Sequence, residues 1–451
     1  MTAVPDRVEQ AGTDRGLDVG PLVQRLLALI PRRREVERRL VELGALRRRA
    51  SKEPPGLPSG AVEGGGAPGR ARGAGWGSRA ELTALRALLR ELRAEERGLL
   101  LSLPNLPAPG VPGGRDRAHD RELRRGGPPP RAPATARPHW EVAAALGWCA
   151  AGAWPRRGTP GLSGGVRAPA PARGAGLLDE GPALLRGLAG FLLSFHRQRG
   201  YQEVTVPSLV QEEELVASGH LPHYRQGMYR LAEGGGWLAP SLEPGMLGRL
   251  RGRALDARDL PLAWVACGPC FRARAGAGGR QERGLVRLHQ FHEVRLLRVV
   301  CPEAAAPGGG AEELEGEVGP LLGHVEEALR RLELPYRVVL RCSGRLSFAA
   351  ALTCDLEVLM PSRGEYLALS SCRAYGDFQA RRAGIRVGEG RGHGRTRFAH
   401  TLSASALPLE RCLAALLENH QQEDGSVLVP QALRPFWGGA GVLEPLEWAR
   451  P

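Results

Sequence analysis

Residues 270–296, CFRARAGAGGRQERGLVRLHQFHEVRL, concentrate the side chains of this chain best suited to chemistry. They read as a strand, a glycine-rich loop and a returning strand. Phe271 and Arg272 end the first strand, and Gly276, Gly278, Gly279 and Gly284 allow bends where a Cβ would clash. From Leu285 an alternation of period two puts Arg287, His289, Phe291, Glu293 and Arg295 on one face. An aromatic plate between guanidinium groups suits a nucleotide, since the ring stacks on a base and the forks take phosphate oxygens. An ordinary basic hairpin would carry the same pattern, so the alternation alone leaves both readings open.

Three further segments carry side chains that bear on the choice. They are S-L-E at 241–243, the S-S-C run opening residues 370–382, and residues 400–436, HTLSASALPLERCLAALLENHQQEDGSVLVPQALRPF, with Arg411 near the start of an amphipathic helix. F-R-x-x-x-G followed by R-G-L-x-R-x-H-Q-F resembles motif 2 of class II aminoacyl-tRNA synthetases in its seryl-tRNA synthetase form. Residues 400–436 resemble motif 3 and the C-terminal signature of that family. The resemblance covers residues 181–445 well and residues 15–106 loosely.

The resemblance implies an α+β fold, the class II antiparallel sheet flanked by helices, with an N-terminal antiparallel helical-hairpin arm. It implies activation of serine with ATP and Mg2+, then transfer to serine tRNA, by a homodimer. Arg272 would hold the α-phosphate and Arg411 the γ-phosphate, the two forming the catalytic pair. Arg287, Leu288 and Phe291 would complete the ATP site, Phe291 stacking on adenine. Ser241, Glu243, Glu293, Ser371 and Ser403 would line the serine pocket, and Ser371 would also face the metal. The chemistry joins a carboxylate to the α-phosphorus and expels pyrophosphate, which calls for positioning and charge neutralisation.

Several residues depart from the family pattern. Arg274 replaces the glutamate of R-S-E, and Arg295 replaces the pocket glutamate that receives serine. Ala368 replaces a glutamate beside S-S-C that holds magnesium and nucleotide. Ser403, Ala404 and Ala406 stand for N-G-x-G, and Glu410 stands for a glycine. A cation at Arg295 opposes the ammonium of serine at ~4 Å by roughly 1 kcal/mol at the dielectric of water and roughly 4 kcal/mol at an effective dielectric of ~20. Glu293, two residues earlier on the same face, is the carboxylate left to meet that ammonium. These departures support an alternative, a weak or inactive paralogue that serves as a tRNA-binding or regulatory module.

The elements that must position these residues follow from periodicity. Residues 19–52 read as a helix with Val36, Leu40, Leu43 and Ala50 in its seam and Pro31 able to kink it. Residues 53–77 are a Pro/Gly-rich tip. A second helix starts after Ser78 as N-cap, with Leu82, Leu85, Leu89, Leu92, Leu99 and Leu103 at heptad spacing and Glu96 in the remaining seam position. The arginine clusters at 32–34, 38–39 and 47–49 suit a phosphate-tracking arm or a solvated helix face. R-x-x-x-S-K-E at 47–53 and L-P-N-L-P at 103–107 resemble the family's tRNA-binding arm. The expected domains are the arm (1–106), a poorly patterned stretch (107–180) and the catalytic domain (181–451). Within the stretch, 138–147 is family-like and 149–178 is close to low complexity. Leu184, Leu188, Phe191, Leu192 and Phe195 predict a helix, then residues 201–206 a strand ending at Pro207. That unit resembles class II motif 1, the family's dimer interface.

Composition sets the outer bounds. A chain of 451 residues with net charge +14 points to a polyanionic partner. Lys52 is the sole lysine and Ile30 and Ile385 the sole isoleucines, a bias of base composition that leaves only clustered arginines as evidence. Cys267 and Cys270 form a single C-x-x-C without a second pair at zinc-ribbon spacing. No apolar run reaches the ~18 residues of a membrane span, and the first residues lack an apolar leader core. The expected location is the cytoplasm, with the mitochondrial matrix as the alternative.

Overall fold

The computed structural model describes residues 5–50, 79–133, 135–148, 177, 180–273, 284–302, 318–388 and 396–447. It divides into two compact units, Met1–Thr13 with Leu17–Pro104, and Asp14–Gly16 with Asn105–Pro451. The expected tip at 53–77, the Ser78 cap, the low-complexity run at 149–176 and the loop carrying Arg274, Gly276, Gly278 and Gly279 lie outside the described residues.

The first unit holds α1 (Pro5–Asp14), α2 (Gly20–Ala50) and α3 (Arg79–Leu101). Val23, Leu26, Leu29, Val36 and Leu43 of α2 are buried, as are Leu82, Leu92 and Leu99 of α3, the seam that the leucine spacing requires. Pro31 does not interrupt α2, which runs through it. Glu96, the acid in the leucine series, meets Arg33 at 2.8 Å. The pairs Arg25–Glu95, Glu37–Arg93 and Arg39–Glu81 advance along one helix as they retreat along the other, so α2 and α3 are antiparallel. The arginine clusters are thus partly neutralised, Arg38 by Glu35 and Arg39 by Glu42 and Glu81. Arg32 and Arg34 are exposed and outside these pairs.

The second unit is built on an eight-stranded sheet. Its strands are β1 (Arg121–Gly126), β2 (Gln202–Glu203), β3 (Leu262–Phe271), β4 (Gln290–Val300), β5 (Tyr336–Leu340), β6 (Leu352–Met360), β7 (Glu365–Gly376) and β8 (His400–Pro408). Their order is β1-β5-β6-β7-β8-β4-β3-β2, antiparallel except where β2 joins β3. Alternation gives the sheet two unlike faces. Val294, Leu296, Val338, Cys354, Leu356, Cys372, Leu402 and Ala404 enter the main core. That core is closed by α5 (Glu180–Arg197), α6 (Val318–Arg331) and α7 (Leu409–Asn419), through Leu188, Phe191, Leu192, Leu321, Val325, Leu413 and Leu416. Phe291, Glu293, Arg295, Ser371, Arg373, Tyr375, Ser403 and Ser405 alternate with those residues and therefore take the opposite, polar face.

Two expectations are corrected. The strand at 201–206 shrinks to β2, because only Gln202 and Glu203 pair with β3. The alternation from Leu285 begins at Gln290, so Arg287 and His289 precede the strand. Two elements were not anticipated in the stretch 107–180: β1 and the short helix α4 (His139–Ala145). No helix among the described residues is long and apolar enough to cross a membrane.

Candidate active site

The polar face of the sheet opens into two adjoining cavities of about 270 Å³ and 460 Å³. Arg272, Arg295 and Arg373 line both and form the partition between them.

The first cavity gathers the expected nucleotide residues Arg272, Leu288, Phe291 and Arg411, with Glu293 and Ser371. Arg272 ends β3 and donates Nε–H to the Pro240 carbonyl at 2.8 Å, while its guanidinium stands 5.0 Å from the centre of the Phe291 ring. Burial, with Arg295 and Arg373 nearby, lowers its pKa. Arg411 sits in the first turn of α7. It donates to the Val286 carbonyl through Nε at 3.2 Å and Nη2 at 3.0 Å, and to the Ala368 carbonyl through Nη1 at 2.8 Å. Burial and the neighbouring Arg272 lower Arg411 to about 10. Carbonyl dipoles orient this cation without neutralising it, which leaves its full charge for an anion.

The turn holding Val286 is fixed from behind. Leu285 N–H donates to His139 Nε2 at 3.1 Å, and His139 Nδ1–H donates to Glu418 Oε1 at 2.8 Å. A backbone N–H on Nε2 places the ring proton on Nδ1. Gly284 has φ +77, and a Cβ there would come within 2.3 Å of His139 Nε2; only glycine meets both demands.

The second cavity receives Ser241, Glu243 and Arg287, with Tyr375 and Arg373. Ser403 does not face it. That residue is fully buried, and its hydroxyl donates to Glu243 Oε2 at 2.8 Å. The Tyr375 hydroxyl donates to the same oxygen at 3.1 Å, and Gln379 Nε2 donates to Oε1. Burial, with Glu243 adjacent, raises the Tyr375 pKa.

Glu293 and Arg295 lie two residues apart on β4 and form a forked pair, Nε–Oε1 at 3.2 Å and Nη2–Oε2 at 2.8 Å. Leu242 N–H also donates to Glu293 Oε1 at 3.0 Å, and Arg295 Nη1 lies 3.6 Å from Glu243 Oε2. Burial opposes ionisation of Glu293, but Arg295 and Arg272 outweigh it and hold the carboxyl at about 2. Burial likewise opposes the charge on Arg295, and Glu293 and Glu243 outweigh it. The carboxylate expected to meet an ammonium group is therefore occupied by Arg295.

Ser371 faces the first cavity, and its hydroxyl donates to Asp355 Oδ1 at 2.7 Å. Asp355 Oδ2 is paired with Arg341. Glu410 accepts His292 N–H at 3.0 and 2.9 Å and Nδ1–H at 2.8 Å; that hydrogen bond raises the His292 pKa. The residues fit a nucleotide but not a protein-held magnesium ion, which needs hard oxygen ligands including a free carboxylate. Every carboxylate of the cleft is already engaged, and no metal-binding group of three His, Cys, Asp or Glu occurs among the described residues. The C-x-x-C residues offer no alternative chemistry. Burial raises Cys267 to about 11 and Cys270 well above its usual value.

Arg341, Asp355, Arg373, Tyr375, Gln379, His139 and Glu418 were not singled out from the sequence. For Asp355, Arg373 and Tyr375 the only signal was a polar residue recurring at every second position of strands β6 and β7; Arg341 lies past the end of β5, and His139, Gln379 and Glu418 sit on helices, where no such alternation marks them.

The model of the tRNA synthetase class II core domain (G, H, P, S and T) matches residues 236–420. A serine–tRNA ligase of Synechococcus sp. strain JA-3-3Ab is 40% identical over 433 residues, covering 96% of this chain and 94% of the relative. The chain belongs to the serine–tRNA ligase family. Another Synechococcus serine–tRNA ligase is 43% identical over 358 residues, 79% of this chain and 77% of its own length. The crystal structure of seryl-tRNA synthetase from Pyrococcus horikoshii complexed with ATP superposes with TM-score 0.80 at 26% identity, covering 99% of this chain and 98% of that one. Within this family of ATP-dependent ligases, the large antiparallel sheet and N-terminal helices of the present chain are the shared architecture.

Proposed function

We propose that this chain activates serine with ATP and transfers the seryl group to serine tRNA. The observation that carries the reading is the convergence of Arg272, Phe291 and Arg411 on one cavity, in a family member with 40% identity to a serine–tRNA ligase over 96% of its length. Phe291 stacks on adenine, and Arg272 and Arg411 bind α- and γ-phosphate oxygens. The serine carboxylate oxygen attacks the α-phosphorus, a seryl–adenylate bond forms, and the bond to the β-phosphate oxygen breaks with release of pyrophosphate. Arg411, held by carbonyls alone, takes up the charge that develops on the leaving group. Leu288 flanks the nucleotide, and Arg287 stands on the wall of the adjoining cavity with Ser241 and Glu243, which bound the serine side. Ser403 and Tyr375 fix Glu243 from behind. Glu293 meets the ammonium when Arg295 turns from it toward phosphate. Magnesium finds no vacant carboxylate beside Ser371, and no step is assigned to it.

The exposed arginines of α2, Arg32 and Arg34 among them, support binding of the tRNA backbone by the N-terminal helices. The working form is a homodimer joined through α5 and the segment ending at Pro207, and the place of work is the cytoplasm. Light scattering of the purified chain tests the dimer. Serine-dependent ATP–pyrophosphate exchange tests the activity, and its absence in folded protein that still binds ATP overturns the proposal. One observation favours a second reading, tRNA binding without activation: Glu243 and Glu293 have their oxygens engaged by protein donors. The same exchange assay separates the two readings.

A further inference from the structure

The cations and carboxylates of the first cavity are unequally disposed. Five arginines line it, Arg272, Arg295, Arg341, Arg373 and Arg411, against the two glutamates Glu293 and Glu410. Neither glutamate is open to a metal, since Glu293 is forked onto Arg295 and Glu410 caps His292. The residue beside the S-S-C turn that reaches the cavity is Ala368, which offers no side-chain oxygen. Ser371 does have a carboxylate neighbour in Asp355, but the Arg341 guanidinium sits against the Asp355 oxygen that Ser371 leaves open. A guanidinium therefore occupies the Asp355 oxygen that would otherwise be open to a divalent cation. Arg373 adds a buried Nε without a hydrogen-bond partner on the cavity wall.

We infer that this cleft binds its nucleoside triphosphate as the metal-free anion, with Arg373 and Arg411 neutralising phosphate oxygens and Arg341 keeping the Asp355 carboxylate closed to a divalent ion. The inference rests on the ATP-binding reading above and adds a statement about the form of the ligand. An arginine fork supplies two parallel donors to a phosphate and carries a fixed charge at all accessible pH. Arginines already in place make a metal bridge redundant. A magnesium ion delivered with ATP would meet guanidinium groups instead of carboxylate oxygen.

The test is calorimetric titration of the full chain with ATP, once in chelator and once in excess Mg2+, alongside Arg341→Ala. For the wild type the two dissociation constants should agree within about threefold, a small effect on the scale of affinity arithmetic. Arg341→Ala uncovers Asp355 and Ser371, so its affinity in chelator should fall at least about tenfold, and Mg2+ should recover most of the loss. Wild-type binding that requires Mg2+ overturns the inference while leaving the ATP reading intact. A loss in Arg341→Ala that Mg2+ does not relieve overturns the exchange of guanidinium for metal. No ATP binding by folded wild type in either condition overturns the reading beneath it. Should Arg341→Ala fail to fold, the wild-type comparison decides alone.

Discussion

Replacing Glu293 with glutamine tests the electrostatics of the cleft directly. Arg295 is 3% exposed and forked onto Glu293, with Glu243 its other acid at 3.6 Å. The pair holds Glu293 at about 2, against an ordinary 4.5. That difference corresponds to roughly 3 kcal/mol of stability, in the range found when one partner of a buried pair is removed. Because the folded-state value is the lower one, this stability is fully present above pH ~4.5 and is lost as pH falls toward ~2. Glu293→Gln should therefore lower the denaturant midpoint at pH 7 by an amount equivalent to about 3 kcal/mol, and the gap from wild type should narrow below pH ~4.5. In exchange assays the same variant should lose serine dependence while ATP still binds. A stability change under ~0.5 kcal/mol at pH 7, typical of an inconsequential surface substitution, would refute the claim that the pair is coupled. Unaltered serine-dependent exchange would refute the role given to Glu293 and turn attention to Glu243.

Arg411→Ala should weaken ATP binding by ~1.5–3 kcal/mol, the value of a charged hydrogen bond, measured by calorimetry. Removing residues 20–101 should abolish tRNA binding while ATP binding persists; undiminished tRNA affinity would make those helices purely structural. In the intact chain, tRNA affinity should fall steeply with salt as counterions are released, and a flat salt dependence would exclude backbone contacts. His139→Ala leaves the Leu285 N–H without its buried acceptor, at a cost of ~1–3 kcal/mol, while Glu418 loses the imidazole but keeps the residue-139 N–H and Ser362 as donors. It should also weaken ATP binding although His139 lines neither cavity, and nucleotide affinity equal to wild type would show that Arg411 is positioned independently of that histidine.

The sequence was most legible where one segment carried its own pattern. The leucines of α3 and the apolar face of α5 mark buried helix faces, and residues 270–296 hold Arg272, Glu293, Phe291 and Arg295 within one hairpin. Strand β1 was invisible because RELRRG has no apolar alternation, its side chains being exposed or half-exposed at a sheet edge. The alternation runs on through Arg287 and His289 in the sequence because these turn residues share the polarity of the strand that follows. The ladder Arg341–Asp355–Ser371 was hidden for another reason. Asp355 and Ser371 are neighbours only through the register of β6 and β7, and Arg341 reaches them from beyond the end of β5. Lateral register is a property of the folded sheet, and no spacing within a single strand contains it. The occupation of Glu293 by Arg295 was only half legible, since the face they share was plain but the fork between them was not.

Helix α7 carries Arg411 in its first turn and Glu418 near its last, seven residues or ~10 Å apart. Both ends grip the same turn, Arg411 through the Val286 carbonyl and Glu418 through His139 onto Leu285 N–H. Helix, histidine and turn thus form a closed brace, and the helix cannot slide along its axis without straining both ends at once. The guanidinium is held in position before any nucleotide arrives, so its conformational freedom is lost during folding and not on binding. Nucleotide association at this end of the cleft should accordingly freeze little, showing near-unchanged hydrogen-exchange protection of the Leu285 and Val286 amides between free and bound protein. The rigidity also has a directional effect: force or displacement applied to α4 is transmitted through the imidazole to the phosphate-binding arginine, which makes a helix outside the cleft a mechanical part of it.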